Sequence, residues 1–571
     1  MIEQNLNIEE TKLKLVDFRI LTEHPTANSL LEFEVNVPNL PNNINVYRED
    51  EIDLSIILVS ASGKKIKASG FYFQEYSFKG NIVGDEAKNE PVFRFRINPF
   101  EAGMWSFSVT LKILGKITDT FCGNVDVMLS DKGSRLLSVE PKCRRNFITK
   151  NGENIVFIGR NLCWSMPIKE RNIFADYVID NMQKLTQNGG NMFRIWDFLE
   201  CGSYIKKGVF SMNQKASAMW DKVFECADKL GVYISFVCIS HGEVSSKIDS
   251  VFDRSPWCIN NGGYIEKAED FFVERQTKSA FKAFLRYVIS RWGYSDSIIY
   301  ELFNEIDHSD AMVKGKLAEV KAWLSEMSEY IRANDAYGHM VTNSAGAISV
   351  NPALYDGFDF LYHHIYNFYS LSQLAEMQKS YQYAYNCPIV IGEFGFADAP
   401  NMKELLEHRF FSKDFLELHQ GNWSGIMGGG ASTTMPWWWY EIPKEFDSYN
   451  DYKVISAFAK KIPWSRTTLV TVSNETVKVT NAKIGVMGYL CRDCAYLWLY
   501  DNNYLSMCRD MSVFEKESFE LPIADGEYLI EFIDTYTGEI INTYSKSVTG
   551  GKELFLMPVW SKDIAVRITL K

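Results

Sequence analysis

Alternation of apolar and polar residues with a period of two dominates the first part of the chain. Phe93, Phe95 and Ile97 alternate with Arg94 and Arg96, and Trp105, Phe107, Val109 and Leu111 alternate with Ser106, Ser108 and Thr110. Bounded by Asn98-Pro99 and Ala102-Gly103, this is the pattern of half-buried antiparallel strands joined by a short connection. No helical run interrupts residues 14–130, so an immunoglobulin-like β-sandwich is expected over residues 1–140. From about residue 145 the texture changes. Short apolar runs at 155–158, 191–196, 232–239, 298–303, 339–342, 358–362, 388–391 and 425–427 alternate with helix-like segments such as 216–230, 270–292 and 312–333. Eight such units predict a (β/α)₈ TIM barrel over residues 141–464, since a doubly wound sheet rarely runs this evenly. After Pro463 the helical pattern stops. Hairpin signals at Asp525-Gly526 and Thr537-Gly538 predict a second β-sandwich over 465–571. The expected fold class is therefore multidomain, a TIM barrel flanked by two β-sandwich domains.

Composition narrows the function classes. The chain has 571 residues, too many for one core, with 46% hydrophobic and 23% charged residues, as in soluble globular proteins. A formal net charge of -12 argues against nucleic acid as a partner, which would call for clustered Lys and Arg. No apolar stretch is long enough to cross a membrane. The first residues lack a basic region followed by an apolar run, and the 11 Cys are scattered, with Cys163, Cys238 and Cys387 inside apolar runs. Free thiols in a cytoplasmic setting are expected. The 14% aromatic share fits a cleft that stacks on the apolar C–H faces of sugars, and equally fits large β-rich cores.

In a barrel of this kind the chemistry sits at the C-terminal ends of the strands. The fourth run ends Tyr300-Glu301-Leu302-Phe303-Asn304-Glu305, and the seventh is followed by Gly392-Glu393-Phe394-Gly395. Each brings a carboxylate to one rim from opposite sides. Cleavage of a glycoside with retention needs two carboxylates about 5 Å apart, one protonated to assist the leaving oxygen and one ionised to attack C1. No zinc-binding H-E-x-x-H, phosphate loop, dinucleotide fingerprint or G-x-S-x-G elbow occurs. His363 and His364 are strand neighbours that point to opposite faces, and Cys491-x-x-Cys494 has no second pair, so no metal and no cofactor is expected.

Asn304-Glu305 and Gly392-Glu393-Phe394-Gly395, each after an apolar strand, resemble the acid/base and nucleophile motifs of clan A glycoside hydrolases, especially the cellulase-like family 5. Phe193-Arg194-Ile195-Trp196, His241-Gly242, His364-Ile365-Tyr366 and Met435-Pro436-Trp437-Trp438-Trp439 extend the resemblance in chain order over roughly residues 150–440. It departs from that pattern at Ile306-Asp307, where a proline often follows the Glu. The region around Asn98-Pro99 and Gly103-Met104-Trp105 is similar to a β-sandwich often found upstream of such barrels; either it binds sugar or, as favoured here, it buttresses the barrel.

The resemblance implies a retaining β-glycosidase that works on oligosaccharides through a covalent glycosyl-enzyme. Glu393 would be the nucleophile, kept ionised by Arg194 and Tyr366. Glu305 would be the acid/base, its pKa raised by a less polar setting and a neighbouring charge. Asn304 would bond the sugar 2-hydroxyl, His241 and His364 would orient the carboxylates or bind hydroxyls, and Trp438 or its neighbours Trp437 and Trp439 would form the stacking floor. Glu301 is read as a structural acid inside the barrel. Glu243 and Asp307 are candidates for substrate contacts, and Asp197 and Glu200 are further rim carboxylates. The rival readings are a non-catalytic carbohydrate-binding barrel and a transglycosylase with the same residues. The sugar, the linkage and the oligomeric state are left open by the sequence.

Overall fold

The computed structural model describes residues 13–163, 173–196, 211–346, 351–366, 370–395, 416–437, 439, 448–505 and 508–571. The first region contains two four-stranded antiparallel sheets. One runs Val16–Ile20, Leu31–Asn36, Val92–Ile97, Phe71–Phe73, and the other Lys116–Val127, Gly103–Ile113, Ile52–Ser60, Lys65–Ser69. Their inward-facing alternate residues, among them Phe33, Phe95, Ile56, Leu58, Trp105 and Phe107, share one apolar core. The alternating runs at 93–97 and 105–111 are both strands, but they do not pair with each other. The Asn98–Ala102 connection carries the chain from one sheet to the other, because both inner faces need the same core to bury against.

The parallel strands Gly159–Asn161, Met192–Trp196, Tyr233–Val237, Ile298–Glu301 and Val341–Thr342 lie side by side, and Ser344–Ala345, Leu361–Tyr366 and Ile389–Gly395 continue the series. The ring closes through residues 431–437. Ala431 N–H donates to Ile389 O (2.7 Å) and Met435 N–H to Ile391 O (3.1 Å). On the other side Phe157 N–H donates to Ala431 O and Thr433 N–H to Phe157 O (both 2.8 Å). The eighth strand is thus 431–437. The apolar run 425–427, expected to be that strand, is the end of the helix Leu416–Met427. That helix is buried at every position but Glu417, so it has no polar face to reveal a helical period.

Inside the ring, Phe157, Met192, Tyr233, Ile299, Met340, Tyr362, Val390 and Met435 form one packed cluster, so the barrel interior is solid rather than a pore. Phe147, from the small sheet Leu137–Val139, Phe147–Thr149 and Asn154–Ile155, stacks on Phe157 at 4.4 Å and closes the bottom. The outer helices carry the local signals that start and stop helices. Gln214–Leu230 is capped by the Asn213 side chain and ends at Gly231 with φ 77°, a conformation that suits glycine. Arg275–Trp292 is capped by Glu274.

The last region holds a six-stranded antiparallel sheet (Val470–Ser473, Ile484–Leu490, Cys494–Asp501, Asp563–Leu570, Gly526–Ile533, Ile540–Val548) over a three-stranded one (Lys478–Val479, Ser518–Leu521, Glu553–Leu556). Thr537-Gly538 does turn a hairpin, between Gly526–Ile533 and Ile540–Val548. Asp525-Gly526 instead links strands of different sheets. The strand Cys494–Asp501 is buried at every position. Leu497 and Leu499 face the local core, while Tyr496, Trp498 and Tyr500 pack toward the barrel.

Candidate active site

Glu301 and Glu305 follow from the same strand, four residues apart, but meet different surroundings. Glu301 is fully buried and takes both Arg194 Nε (2.7 Å) and Arg194 Nη2 (2.6 Å), with Ser235 Oγ at 3.0 Å. Beyond it the chain stays attached to its neighbours: Asn304 N–H donates to Ile239 O, and Glu305 N–H donates to Ser344 Oγ. Glu305 itself adopts φ 48°, ψ 53°, a left-handed conformation that a non-glycine residue holds only where its surroundings enforce it. The turn carries its side chain into the barrel mouth.

Glu393 comes from the seventh strand, opposite. One oxygen of each carboxylate and His364 Nδ1 all lie within 4.8 Å of one another. His364 Nδ1 sits between them, 2.9 Å from Glu305 Oε1 and 3.3 Å from Glu393 Oε1. Arg194 Nη1 donates to Glu393 Oε1 at 2.7 Å, and the Tyr366 hydroxyl donates to Glu393 Oε2 at 2.5 Å. Both carboxylates are buried, Glu305 at 8% and Glu393 at 3% exposure.

Arg194 also sets the orientation of its other neighbours. Its Nη2 donates to Asn304 Oδ1 (2.5 Å), which turns the Asn304 amide nitrogen toward His241 Nδ1 (3.2 Å). An amide N–H can only donate, so His241 Nδ1 accepts and its proton lies on Nε2, which faces Asp249 Oδ2 at 3.2 Å. One arginine thereby fixes an amide and, through it, a histidine tautomer.

The proton affinities run opposite to the sequence expectation. Burial works against ionisation of Glu305, but hydrogen bonds from His308 and His364 outweigh it and hold this carboxyl well below its usual range. For Glu393, burial and the charge of Glu305 push the pKa up in spite of His364, Arg194 and Tyr366. Arg194 offsets only part of this rise, and Glu301 takes the same guanidinium bidentately. The two acids titrate as one pair.

The described residues thus bring together Glu305, Glu393, Arg194, His241, Asn304, His364 and Tyr366. Trp438, Asp197 and Glu200 lie outside the described residues. Trp437 is half-buried, with its ring 5.6 Å from Trp196, and Trp439 is buried behind it at 5.2 Å. Glu243 is fully buried; it closes a capping box at Ser240 and accepts from Trp257 Nε1 at 3.3 Å. Asp307 Oδ1 accepts from Gly346 N–H. Four contributors escaped the sequence reading. His308 Nδ1 lies 3.3 Å from Glu305 Oε2, a contact that its position three residues after Glu305 could have suggested. Asp249 holds His241. Asn161 donates to Gly392 O (2.9 Å) and Met435 O (3.0 Å) while its Oδ1 faces Arg194 Nη1. Gly346 leaves room for Glu305, whose Oε1 would stand 2.5 Å from any Cβ there. Neither Asp249 nor Gly346 carries a local signal.

Residues 148–424 match the family model Cellulase (glycosyl hydrolase family 5). The barrel is a cellulase-like glycoside hydrolase barrel of clan A. This cellulase-like chain is 25% identical over 330 residues to Mannan endo-1,4-beta-mannosidase 5 of Solanum lycopersicum, covering 49% of this chain and 77% of that one. It is 25% identical over 206 residues to Mannan endo-1,4-beta-mannosidase 3 of Oryza sativa subsp. japonica, covering 34% of this chain and 43% of the rice protein, less than half its length. Among solved structures, a Bacteroides vulgatus ATCC 8482 protein provisionally described as a glycoside hydrolase shares the fold. It has a TM-score of 0.63 at 14% identity, with 96% of this chain and all of that chain covered.

Proposed function

We propose that this protein hydrolyses β-linked oligosaccharides with retention of configuration, β-1,4-mannosides first among them. The observation that carries the reading is the pair of opposed, buried carboxylates with one oxygen of each within 4.8 Å of the other, an approach that suits the direct attack of retaining enzymes, whose carboxyl groups stand about 5–5.5 Å apart, and is too tight for an intervening water. Glu393, gripped by Arg194 and Tyr366, attacks the anomeric carbon while Glu305 gives its proton to the departing glycosidic oxygen. Water then attacks the glycosyl-enzyme, giving its proton to Glu305 and releasing Glu393. The productive form has the proton of the pair on Glu305. Arg194 and Tyr366 favour it from the Glu393 side, and the His308 contact opposes it from the other. Asn304 is placed to bond the sugar 2-hydroxyl, His241 and His364 to orient the carboxylates, and Trp437 or Trp438 to stack on the ring. The mannan-cleaving relatives support the choice of sugar.

In the same reading the sheet-rich regions 1–140 and 465–571 are β-sandwich domains that buttress the barrel, 141–464. The nine cysteines whose side chains are described are all free, which supports a reducing compartment.

The test is a panel of aryl β-glycosides (mannoside, glucoside, galactoside, xyloside, cellobioside) and manno-oligosaccharides, run on wild type and Glu393→Gln. Turnover lost by a factor of about a thousand or more in the variant supports the mechanism. Near-normal turnover by Glu393→Gln overturns it.

A further inference from the structure

Beside the carboxylate pair the barrel mouth holds a second constellation. Glu305 uses Oε1 on His364. Its other oxygen, Oε2, faces two imidazole nitrogens, His308 Nδ1 at 3.3 Å and His241 Nδ1 at 3.5 Å. One donor atom from each of the three residues lies within 4.8 Å of the other two, and the two rings stand edge to face at 87°.

Two features distinguish this cluster from an ordinary hydrogen-bonded pair. The first is that His241 Nδ1 carries a lone pair, because the Asn304 amide donates to it. Two electron-pair donors, this nitrogen and Glu305 Oε2, therefore face each other, a contact that a cation between them makes attractive. The second is the outer contact. His241 gives its remaining ring proton to the Asp249 carboxylate, the arrangement that orients metal-bound histidines and strengthens them as ligands.

We propose that His241 Nδ1, Glu305 Oε2 and His308 Nδ1 form a site for a divalent transition-metal ion, Zn²⁺ by its ligand chemistry, whose occupancy blocks Glu305. Two imidazoles and one carboxylate are a ligand set that Zn²⁺ takes with a fourth position open. Bonds of about 2.0–2.1 Å in tetrahedral geometry put neighbouring donors about 3.3–3.4 Å apart, and the two measured edges are 3.3 and 3.5 Å. Gly346 keeps the space clear: a Cβ there would stand 2.9 Å from His308 Cε1 and 2.5 Å from Glu305 Oε1. The ion enters along His308, whose side chain is 33% exposed; binding replaces the proton that His308 Nδ1 shares with Glu305 Oε2, which is released to solvent, and displaces the Asn304 amide from His241. That the bound ion also stops hydrolysis rests on the acid/base role proposed for Glu305; the site itself does not.

Co²⁺ serves as the spectroscopic probe, titrated into chelator-treated full-length protein. The expected result is one equivalent bound with the intense visible band of tetrahedral Co²⁺, displaced by Zn²⁺. Asp249→Asn should weaken binding by about tenfold or more through loss of the outer contact, and His308→Gln should abolish the tetrahedral band, both variants keeping the wild-type circular dichroism spectrum. The band should survive in a Cys491→Ser/Cys494→Ser protein. A wild type without the band, a band unchanged in His308→Gln, or one lost with the cysteines overturns the site. A metal complex in a protein that cleaves no glycoside refutes the hydrolase reading and leaves the site standing. A Zn²⁺-insensitive hydrolase without the Co²⁺ band does the reverse.

Discussion

His419 offers the sharpest test of how the barrel is held to the region that follows it. The residue sits on the buried helix Leu416–Met427, its ring stacked on Tyr536 at 3.9 Å and 7°. Nδ1 lies 2.7 Å from Asp451 Oδ1 and Nε2 lies 3.2 Å from Asp563 Oδ1. With a carboxylate at each nitrogen, both carry protons and the ring is an imidazolium. Burial disfavours that charge, but Asp563 and Asp451 outweigh it and lift the pKa from 6.5 to about 10. At about 1.4 kcal/mol per unit, a shift of this size corresponds to roughly 5 kcal/mol of stability. Removal of one partner from a buried ion pair costs about 3–5 kcal/mol, a similar figure reached independently. The folded pKa is raised, so the contribution is complete below about pH 6.5, falls by about 1.4 kcal/mol per pH unit above it, and is gone beyond about pH 10. Urea unfolding of wild type and His419→Gln, followed by tryptophan fluorescence, measures it; Trp423 lies beside the ring at 6.3 Å. The expected difference is several kcal/mol near neutrality, shrinking steadily as the pH approaches ten. A difference that stays constant or grows with pH refutes the charged triad.

Three further outcomes are expected. Arg194→Met strips the buried Glu301 and Glu393 of their cation and should lower unfolding stability by about 3–5 kcal/mol; adding Glu301→Met should restore part of the loss, and a strictly additive double mutant would argue against direct coupling. His308→Gln, assayed in chelator-treated buffer, removes a donor that stabilises ionised Glu305, so the basic limb of the kcat/KM profile should move to higher pH, and a limb that stays or moves down contradicts the assignment. Gly346→Ala places a methyl group 2.5 Å from Glu305 Oε1 and should cut turnover by about a hundredfold or more while leaving the circular dichroism spectrum unchanged; full activity would show that Glu305 has room to spare.

Much of this was written in the order of the residues. The strand-end glutamates, Arg194 and the 364–366 stretch could be read because each follows an apolar run, and parallel barrel strands deliver such positions to one rim. The eighth strand could not. Residues 431–437 are Ala-Ser-Thr-Thr-Met-Pro-Trp, with neither an apolar run nor clean alternation, and Thr433 spends its hydroxyl on the backbone of Gly159. The inverted proton affinities were equally hidden. They depend on the burial of Glu393 beside the charge of Glu305, a three-dimensional fact, and on His308, whose approach to Glu305 requires the left-handed turn at that residue. Asp249, 56 positions before Glu305 along the chain, is brought to the site only by the loop after the third strand.

The buried helix Leu416–Met427 has a consequence for inheritance. One side rests on barrel strand Ile389–Gly395 and the other meets the last region, where Gln420 Nε2 donates to Tyr504 O (2.6 Å) and the Tyr489 hydroxyl donates to Ile426 O (2.8 Å). Neither neighbour alone would keep that helix dry. A gene fusion or truncation that cuts near residue 464 would hand each half an open apolar face and a set of orphaned polar groups, so recombination should pass the two on together, as a single heritable block rather than as interchangeable cassettes.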